Sequence, residues 1–246
     1  MRRFFLNGTI GERMELTGTD AHHIARVLRM AVGDNVIIAD KNERTAKAKI
    51  NSITDDVVTL SLVEYLEDDS EPTVKIRLAQ CLPKSDKMEF IVQKAVELGA
   101  SSVQPLISEN CVVKYTADKQ VKRVERWQKI AHEAAKQCKR ATVPTVETIT
   151  TLKDFLAHID DDEMVLFCYE AEDGHTLRQA LASHQAEKYT VLIGPEGGFS
   201  LEEARLCHQM GAYPVSLGNR ILRTETASLA ALTMVLYAHG ELGGVI

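Results

Sequence analysis

The sequence predicts an α/β protein with a parallel sheet, preceded by a small β-barrel. Three observations support this fold class. The first 66 residues contain short apolar runs separated by turn residues, an acidic stretch at 67–72 ends in proline, and strand and helix patterns alternate from Val74 onward. A chain of 246 residues can bury two cores. We therefore place the domain boundary between a barrel domain at 1–70 and an α/β domain at 71–246.

Short strands and one helix make up the predicted barrel. The helix covers residues 20–30, where Ile24, Val27 and Leu28 fall on one face. Several short strands with a single helix are typical of a small barrel. The strands are the apolar or alternating runs at 4–6, 36–38, 46–50 and 57–62.

The α/β domain begins with a strand at 74–80, in which apolar and basic residues alternate. Asp86 then opens a helix, and Glu89 stands three residues later at the spacing of a capping box. Gly99 is placed to end this helix, because glycine readily adopts the left-handed conformation of a helix C-terminus. The next strand is predicted at 103–107.

A long amphipathic helix is predicted at 119–140, with Val121 and Trp127 on its apolar face. Two later strands, at 164–169 and 190–193, are continuously apolar. Strands of this kind are covered by helices on both sides, as in a parallel sheet. The alternation of strands and helices therefore predicts a parallel α/β core.

The C-terminal part contains one capped helix, one strand and one apolar helix. Ser200 and Glu203 form a second capping-box pattern, and Gly211 closes the helix that they open. A last strand is predicted at 213–217. The helix at 226–239 is almost entirely apolar, so we expect it to be buried, either in the core or against a second subunit.

Charge is unevenly distributed along the chain. The net charge is −6, but residues 75–140 carry +7 and residues 141–246 carry −9. A basic segment in an acidic chain is compatible with an RNA-binding surface, and equally with a solvated helix surface.

Several function classes are disfavoured by the composition. The five cysteines are dispersed and form no C-x-x-C pair, which argues against a disulfide framework and against a metal site. No apolar run approaches the length of a membrane span, and the first residues lack the apolar core of a signal peptide. We therefore expect a cytosolic protein without a metal and without a membrane partner.

Two loops at predicted strand ends are the candidate ligand site, since ligands of open parallel sheets bind beyond the carboxyl ends of strands. The first, at 192–200, carries Gly194, Gly197 and Gly198 between a buried strand and a capped helix. It matches neither the dinucleotide nor the triphosphate glycine pattern. The alternatives are a ligand without phosphates, read by the backbone, or a turn that needs glycine for steric reasons alone.

The second loop, at 216–227, places Arg220, Arg223 and Glu225 between two apolar elements. Charges in such a position need a partner when they lose water. An Arg223–Glu225 ion pair and a functional role are both open at this point.

The two loops carry a resemblance to a known family. LIGPEGGFS at 192–200 and SLGNRILRTETA at 216–227 closely resemble the paired C-terminal motifs of the SPOUT superfamily of RNA methyltransferases. Within it the chain resembles the RsmE family, the 16S ribosomal RNA uridine-N3 methyltransferases. The further matching blocks are RRFF at 2–5, HHIARVLRMAVGD at 22–34, KSDKMEFIVQKAVELGA at 84–100 and RWQKIAHEAAKQCKR at 126–140.

The resemblance implies a PUA-like barrel at 1–70 and an α/β domain whose C-terminus is threaded into a trefoil knot, a rare exception to unknotted chain topology. It also implies a homodimer, with S-adenosylmethionine bound in the knot. For cofactor contacts it implies Gly194, Pro195, Glu196, Gly198, Leu217, Gly218, Ile221, Leu222 and Thr226. Glu170, at the end of a predicted strand, is either a further pocket residue or a surface carboxylate.

The reaction that the resemblance implies also suggests roles for charged residues. N3–H of uridine must lose a proton, so Glu225 is our candidate base or proton-path residue and Arg223 our candidate for stabilising the resulting charge. Candidate contacts with 16S ribosomal RNA or the 30S subunit are Arg2, Arg3, His23, Arg26, Arg29, Lys84 and Lys87. Two alternatives stay open: methylation of another RNA by the same fold, and a non-catalytic RNA-binding assembly factor.

Overall fold

The computed structural model describes residues 1–170, 174–184 and 186–244. Its contacts divide the chain into two compact units. Unit 1 consists of Met1–Glu71 and Ala135–Val143, and unit 2 of Pro72–Ala134 and Pro144–Ile246. Each unit has its own sheet.

Unit 1 contains a five-stranded mixed sheet. Its strands are β1 (Arg3–Phe5), β2 (Arg13–Thr17), β3 (Asn35–Ala39), β4 (Thr45–Ile53) and β5 (Val57–Leu66). They lie in the order β1-β3-β4-β5-β2; β1 and β3 are parallel and the other pairs antiparallel. The four predicted strands are confirmed, whereas β2 was not predicted. Because β1 and β2 are the two sheet edges, the predicted closed barrel is present as a curled open sheet, bent at the register shifts between β4 and β5.

The predicted helix of unit 1 is present in a different form. A short α1 (Thr19–His22) continues directly into a π-helical turn, His23–Val27. Ile24 is buried in the unit 1 core, as expected, but Val27 is 64% exposed. The placement of Val27 on the apolar face was wrong, because a π-helical turn has a wider residue spacing than the α-helix assumed for the pattern.

Unit 2 is built around an entirely parallel sheet. Its strands are β6 (Lys75–Cys81), β7 (Ser102–Ile107), β8 (Thr145–Val146), β9 (Thr150–Thr151), β10 (Glu163–Cys168), β11 (Lys188–Ile193) and β12 (Tyr213–Val215). The order is β12-β10-β11-β6-β7-β8, with β9 also paired to β7. Every pairing is parallel, which confirms the predicted α/β class.

Helices connect these strands. They are α2 (Lys87–Leu98), α3 (Ala117–Cys138), α4 (Leu152–Leu156), α5 (Leu177–Ser183), α6 (Leu201–Gln209) and α7 (Thr224–Ala238). Gly99 ends α2 at φ 113°, as predicted. The Ser200–Glu203 capping box is confirmed, but the one at Asp86 was wrong. Asp86 has φ −92° and ψ 16°, whereas a side-chain cap requires an extended backbone at that position.

The two long helices fit their predicted environments in part. Trp127 of α3 is buried, whereas Val121, placed on the same apolar face, is 59% exposed. One face of α7, with Leu232 and Leu236, is buried, but Tyr237 on the other face is 68% exposed. Within the described part of the chain, no helix is long and apolar enough to cross a membrane.

Candidate functional site

The carboxyl ends of β10, β11 and β12 lie side by side in the sheet. The segment after β11 is the glycine-rich first loop, with residues 194–200. The segment after β12 is the second predicted loop, 216–227, whose last residues form the first turn of α7. Adjacent parallel strands that end at one edge create a crevice for a ligand. The sheet order therefore brings the two predicted loops to one edge of unit 2.

A tight turn shapes the first loop. The backbone N–H of Gly198 donates to the Pro195 carbonyl at 3.0 Å, and Gly198 has φ 66°. At Gly194 a Cβ atom would lie 2.9 Å from the ring of Phe199, so no side chain fits there. Phe199 in turn packs edge-on against the buried Phe167 of β10, with ring centroids 4.8 Å apart. Glycine at 194 and 198 is thus required by sterics and backbone conformation.

Asn110, in the segment after β7, supports the same loop from outside. Its Nδ2 donates to the carbonyls of Gly197 and Gly198 at 3.1 and 3.2 Å. The backbone N–H of the neighbouring Glu109 donates to Glu203 at the start of α6, at 2.8 Å. These bonds fix where the loop carbonyls point.

A buried polar network joins the first loop to the start of α7. Thr224 Oγ1 donates to the Gly194 carbonyl at 2.7 Å and accepts from Gln80 Nε2 at 2.9 Å. Ser228 Oγ, one turn along α7, lies 2.5 Å from Gln80 Oε1. All three side chains are buried, so each bond is made in a medium of low polarity where loss of a partner is costly. The network links β6, the end of β11 and α7.

Backbone pairing positions the second loop. Ser216 donates its N–H to the His175 carbonyl at 2.8 Å, and its own carbonyl accepts from Leu177 at 3.1 Å. Gly218 follows with φ 113°, a conformation that side chains rarely adopt, and its N–H donates to Ser216 Oγ at 3.2 Å. The loop therefore leaves the sheet edge through a turn that favours glycine.

Lys87, the first residue of α2, connects the two loops electrostatically. Its Nζ lies 2.9 Å from Glu196 Oε1 in the first loop and 3.0 Å from Glu225 Oε2 at the start of α7. The Glu196 carboxylate also accepts from the backbone N–H of Lys84, with both oxygens at 3.2 Å. Glu225 therefore forms its ion pair with Lys87 rather than with Arg223.

These contacts shift the ionisation of the three groups. Burial raises the pKa of Glu225, but its own backbone N–H and the Lys87 ammonium group outweigh burial and hold the pKa below its usual value. Burial likewise opposes ionisation of Glu196, and the bond from Lys87 again lowers its pKa overall. The two carboxylates raise the pKa of Lys87. At neutral pH the cluster thus holds two carboxylates and one ammonium ion.

The remaining predicted cofactor residues lie on or beside the two loops. A methyl group added to Gly198 would lie 3.4 Å from Glu170 Oε1, so the Glu170 carboxylate is next to the first loop. The Ile221 side chain, in the second loop, is 86% exposed. Thr224, which stands between the predicted catalytic residues Arg223 and Glu225, is buried. Arg223 is exposed at the N-terminal cap of α7. Leu217, Leu222 and Thr226 occupy the second loop and the first turn of α7.

Several candidate RNA contacts already have acidic partners. Arg3 forms an ion pair with Asp68 at 2.8 Å, and both side chains are 8% exposed. Arg26 forms an exposed pair with Asp55 at 2.5 Å, and Lys87 is held by the two carboxylates described above. The other candidate RNA contacts are the exposed residues Arg2, Arg29 and Lys84 and the half-buried His23. The side chain of Arg3 therefore does not face solvent in this structure.

Four functional side chains were missed by sequence reasoning: Gln80, Asn110, Thr224 and Ser228. Ser228 lies among apolar residues of α7 and Gln80 lies in the buried half of β6, and buried polar side chains of this kind require hydrogen-bond partners. Asn110 had no such signal, because its partners are backbone carbonyls. Across the residues that the structure describes, no group of three or more potential ligand side chains could hold a metal ion.

The sequence is similar to those of known RNA methyltransferases. Residues 69–236 match the family model of an RNA methyltransferase domain, and residues 16–63 match that of an RNA methyltransferase PUA domain. The ribosomal RNA small subunit methyltransferase E of Bacillus subtilis is 35% identical over an alignment of 247 residues, gaps included, that covers 96% of each protein. That of Synechocystis is 34% identical over 89% of this chain and 71% of the relative. The chain belongs to the ribosomal RNA small subunit methyltransferase E family.

Solved structures of similar proteins agree with this membership. The methyltransferase E of Neisseria gonorrhoeae, bound to S-adenosyl methionine, is 30% identical, with a TM-score of 0.88 over 96% of this chain and 97% of that one. A methyltransferase from Legionella pneumophila in complex with the same cofactor is 32% identical, with a TM-score of 0.85 and the same coverage. The resemblance to the RsmE family drawn from the motifs is confirmed.

Proposed function

We propose that this methyltransferase E family member transfers a methyl group from S-adenosylmethionine to N3 of a uridine in 16S ribosomal RNA of the small subunit. The observation that carries the proposal is the junction of the two loops at one sheet edge, where Thr224 bonds to Gly194 and Lys87 pairs with Glu196 and Glu225. Relatives named for the small-subunit reaction, and similar structures bound to S-adenosylmethionine, support it.

The two loops fit a methyl donor of this kind. Gly218 leaves open space beside the second loop, since a Cβ there would meet nothing within 4 Å. The Glu170 carboxylate can accept hydrogen bonds from hydroxyl groups beside the first loop. When bound, the donor supplies an electrophilic methyl group on a sulfonium. We assign its binding to Gly194, Pro195, Glu196, Gly198, Leu217, Gly218, Ile221, Leu222, Thr226 and Glu170.

Glu225 and Arg223 have complementary tasks in this proposal. The lowered pKa of Glu225 keeps it ionised at neutral pH, so it accepts the hydrogen bond of uridine N3–H and begins the path by which the proton reaches solvent. Arg223 precedes it by two residues and is exposed, so its guanidinium group can approach the carbonyl oxygens that flank N3. Loss of the N3 proton leaves negative charge on those oxygens, which the guanidinium stabilises.

RNA binding is assigned to basic residues of both units. The proposed contacts are Arg2, Arg3, His23, Arg26, Arg29 and Lys84, whereas Lys87, the seventh candidate from the sequence, is held by Glu196 and Glu225. Arg3 and Arg26 already have acidic partners and must exchange a carboxylate for a phosphate when RNA binds. Each therefore contributes less to the binding free energy than a solvated cation does. Because phosphate contacts release counterions, binding should weaken steeply with salt.

Further features of the proposal concern the whole protein. We assign a PUA-like domain to residues 1–70 and a SPOUT domain with a C-terminal trefoil knot to residues 71–246. We also propose a homodimer, since Met234 and Tyr237 leave an apolar face of α7 exposed. The proposed substrate places the enzyme in the cytoplasm.

Incubation with labelled S-adenosylmethionine and hypomethylated small subunits, followed by nuclease digestion and nucleoside mass analysis, tests the proposal. We expect 3-methyluridine, and its rate of formation should fall about 100-fold or more in Glu225→Gln and Arg223→Ala. Arg205→Ala and Glu202→Gln, exposed positions on α6, serve as matched controls. A different methylated nucleoside would indicate another RNA target, and absence of both methyl transfer and cofactor binding would indicate an assembly factor.

A further inference from the structure

Lys87 is placed where two loops from distant parts of the chain present a carboxylate each. Glu196 lies 109 residues further along the chain, yet Lys87 Nζ is 2.9 Å from its Oε1 and 3.0 Å from Glu225 Oε2. The side chains are 27%, 23% and 21% exposed, so water screens these charges only in part. An ammonium group offers three donors, enough for both carboxylates at once.

Removal of this ammonium group would leave two carboxylates facing each other. Because an oxygen of each lies within 3.0 Å of the same nitrogen atom, the two negative charges are close enough to repel, and the repulsion favours protonation of one of them. The charged groups that face Glu225 are Lys87 from α2, Glu196 from the first loop and Arg223 from its own helix end. Arg223 is exposed, and therefore compensates Glu225 more weakly than Lys87 does.

We propose that Lys87 is a positioning residue that holds the two cofactor loops together and keeps Glu225 as a carboxylate directed at the substrate. The catalytic part of this statement rests on the proposed function of Glu225, whereas the coupling of the loops does not. Lys87 contributes through the two glutamates and not as a phosphate contact. Its position as the first residue of α2 anchors both loops to a helix of the unit 2 core.

Carboxyl titration tests the coupling without any activity measurement. Protein labelled with ¹³C at the glutamate carboxyl groups would be titrated by NMR, with Glu196→Gln and Glu225→Gln used to assign the two signals. In Lys87→Met the titration midpoints of Glu196 and Glu225 should rise by about one pH unit or more. Lys87→Arg should restore them, and Lys94→Met, which removes a lysine of the same helix paired with Glu97, should leave them unchanged. Unchanged midpoints in folded Lys87→Met and Lys87→Gln would overturn the proposal.

The pH dependence of single-turnover methylation tests the catalytic part. Glu225 must be ionised, so loss of Lys87 should move the acid limb of the profile to higher pH by the same shift as the carboxyl titration. The affinity for S-adenosylmethionine should fall about tenfold, while the salt dependence of RNA binding should stay the same. A phosphate contact would instead reduce the salt slope by about 0.7 to 0.9. If loss of Lys87 reduced the salt slope of RNA binding and left the acid limb of the pH profile unmoved, the proposal would be overturned. Full activity of Glu225→Gln would overturn the role of Glu225, but not the coupling of the loops by Lys87.

Discussion

Single residues fix the backbone of the first loop. Gly198 has φ 66°, and its N–H closes a turn onto Pro195, while Asn110 holds its carbonyl from the other side. A side chain at 198 would be strained in this conformation whatever the space around it. The loop is therefore ordered by local backbone requirements and by one amide side chain.

Gly198→Ala should weaken S-adenosylmethionine binding about tenfold. A left-handed conformation costs an alanine about 1–2 kcal/mol, and the new methyl group would also lie 3.4 Å from Glu170 Oε1. Calorimetric titration measures the affinity. Gly8→Ala is the control, because nothing lies within 4 Å of a Cβ there and its φ is not positive. Equal affinity of Gly198→Ala and wild type would show that the loop need not adopt this turn.

Asn110→Asp should also weaken cofactor binding, by about tenfold. The carboxylate cannot donate to the Gly197 and Gly198 carbonyls and repels them, which leaves two acceptors without their partner. Fluorescence-monitored binding and urea unfolding would separate the loop effect from a loss of stability. Asn7→Asp, an exposed change of the same charge in unit 1, is the control. Wild-type affinity in Asn110→Asp would mean that the loop keeps its shape without this side chain.

At the scale of elements, function depends on how strands end and how helices begin. The end of β11 and the start of α7 meet through Thr224, which donates to Gly194 and accepts from Gln80. The capping box at Ser200 was predictable because its four residues are contiguous. The position at which α2 starts was also predictable, but the partners of Lys87 there were not, because they lie more than 100 positions away.

Thr224→Val should destabilise unit 2 by about 1–3 kcal/mol. The substitution keeps the shape of the side chain but removes the donor to the Gly194 carbonyl, and it leaves Gln80 Nε2 with the Cys81 carbonyl in place of two acceptors. Thermal unfolding followed by circular dichroism should show a lower midpoint. Thr233→Val, at an exposed position of the same helix, should change stability by less than about 0.5 kcal/mol.

A double-mutant cycle with Gln80→Leu tests whether the network acts as one unit. The combined loss should be smaller than the sum of the single losses, because both single changes remove the same bond between Gln80 and Thr224. Strict additivity would show that Gln80 and Thr224 contribute independently.

On the scale of the whole molecule, unit 1 is not contiguous in sequence. Its second segment, Ala135–Val143, supplies Arg140, which is buried and pairs with Glu71 at 2.6 Å. Burial raises the pKa of Glu71, but the Arg140 guanidinium outweighs burial and lowers the pKa overall. A group with a lowered folded-state pKa contributes stability above its unfolded pKa, and this contribution is lost as the pH falls.

Glu71→Gln should therefore destabilise unit 1 by about 3 kcal/mol at pH 7, because it removes the carboxylate that faces the buried guanidinium group of Arg140. The difference from wild type should be smaller at pH 3 than at pH 7, because the stabilising contribution of a carboxylate with a lowered pKa is lost as the pH falls. Urea unfolding at both pH values measures this difference in the free energy of unfolding. Glu64→Gln removes a more exposed pair with Lys47 and should have little effect. An equal loss at both pH values would contradict the assigned charge of Glu71.

The sequence by itself determined the longer strands and helices of unit 2 and which loops stand at strand ends, whereas β8, β9 and α5 were not predicted. Apolar periodicity, glycine positions and a contiguous capping box are local properties of the chain, so 188–193 and 200–209 could be read from it directly. The motifs of the two loops also determined the family, since their order and spacing are linear features.

Only the tertiary structure decided which side chains meet. The sheet order β12-β10-β11-β6 brings together strands that are far apart in sequence, so Gln80 reaches Thr224 across 144 positions and Lys87 reaches two glutamates. Arg3, a candidate RNA contact by sequence, is buried against Asp68. Such partners depend on strand order and chain crossing, and periodicity along the chain carries no information on either.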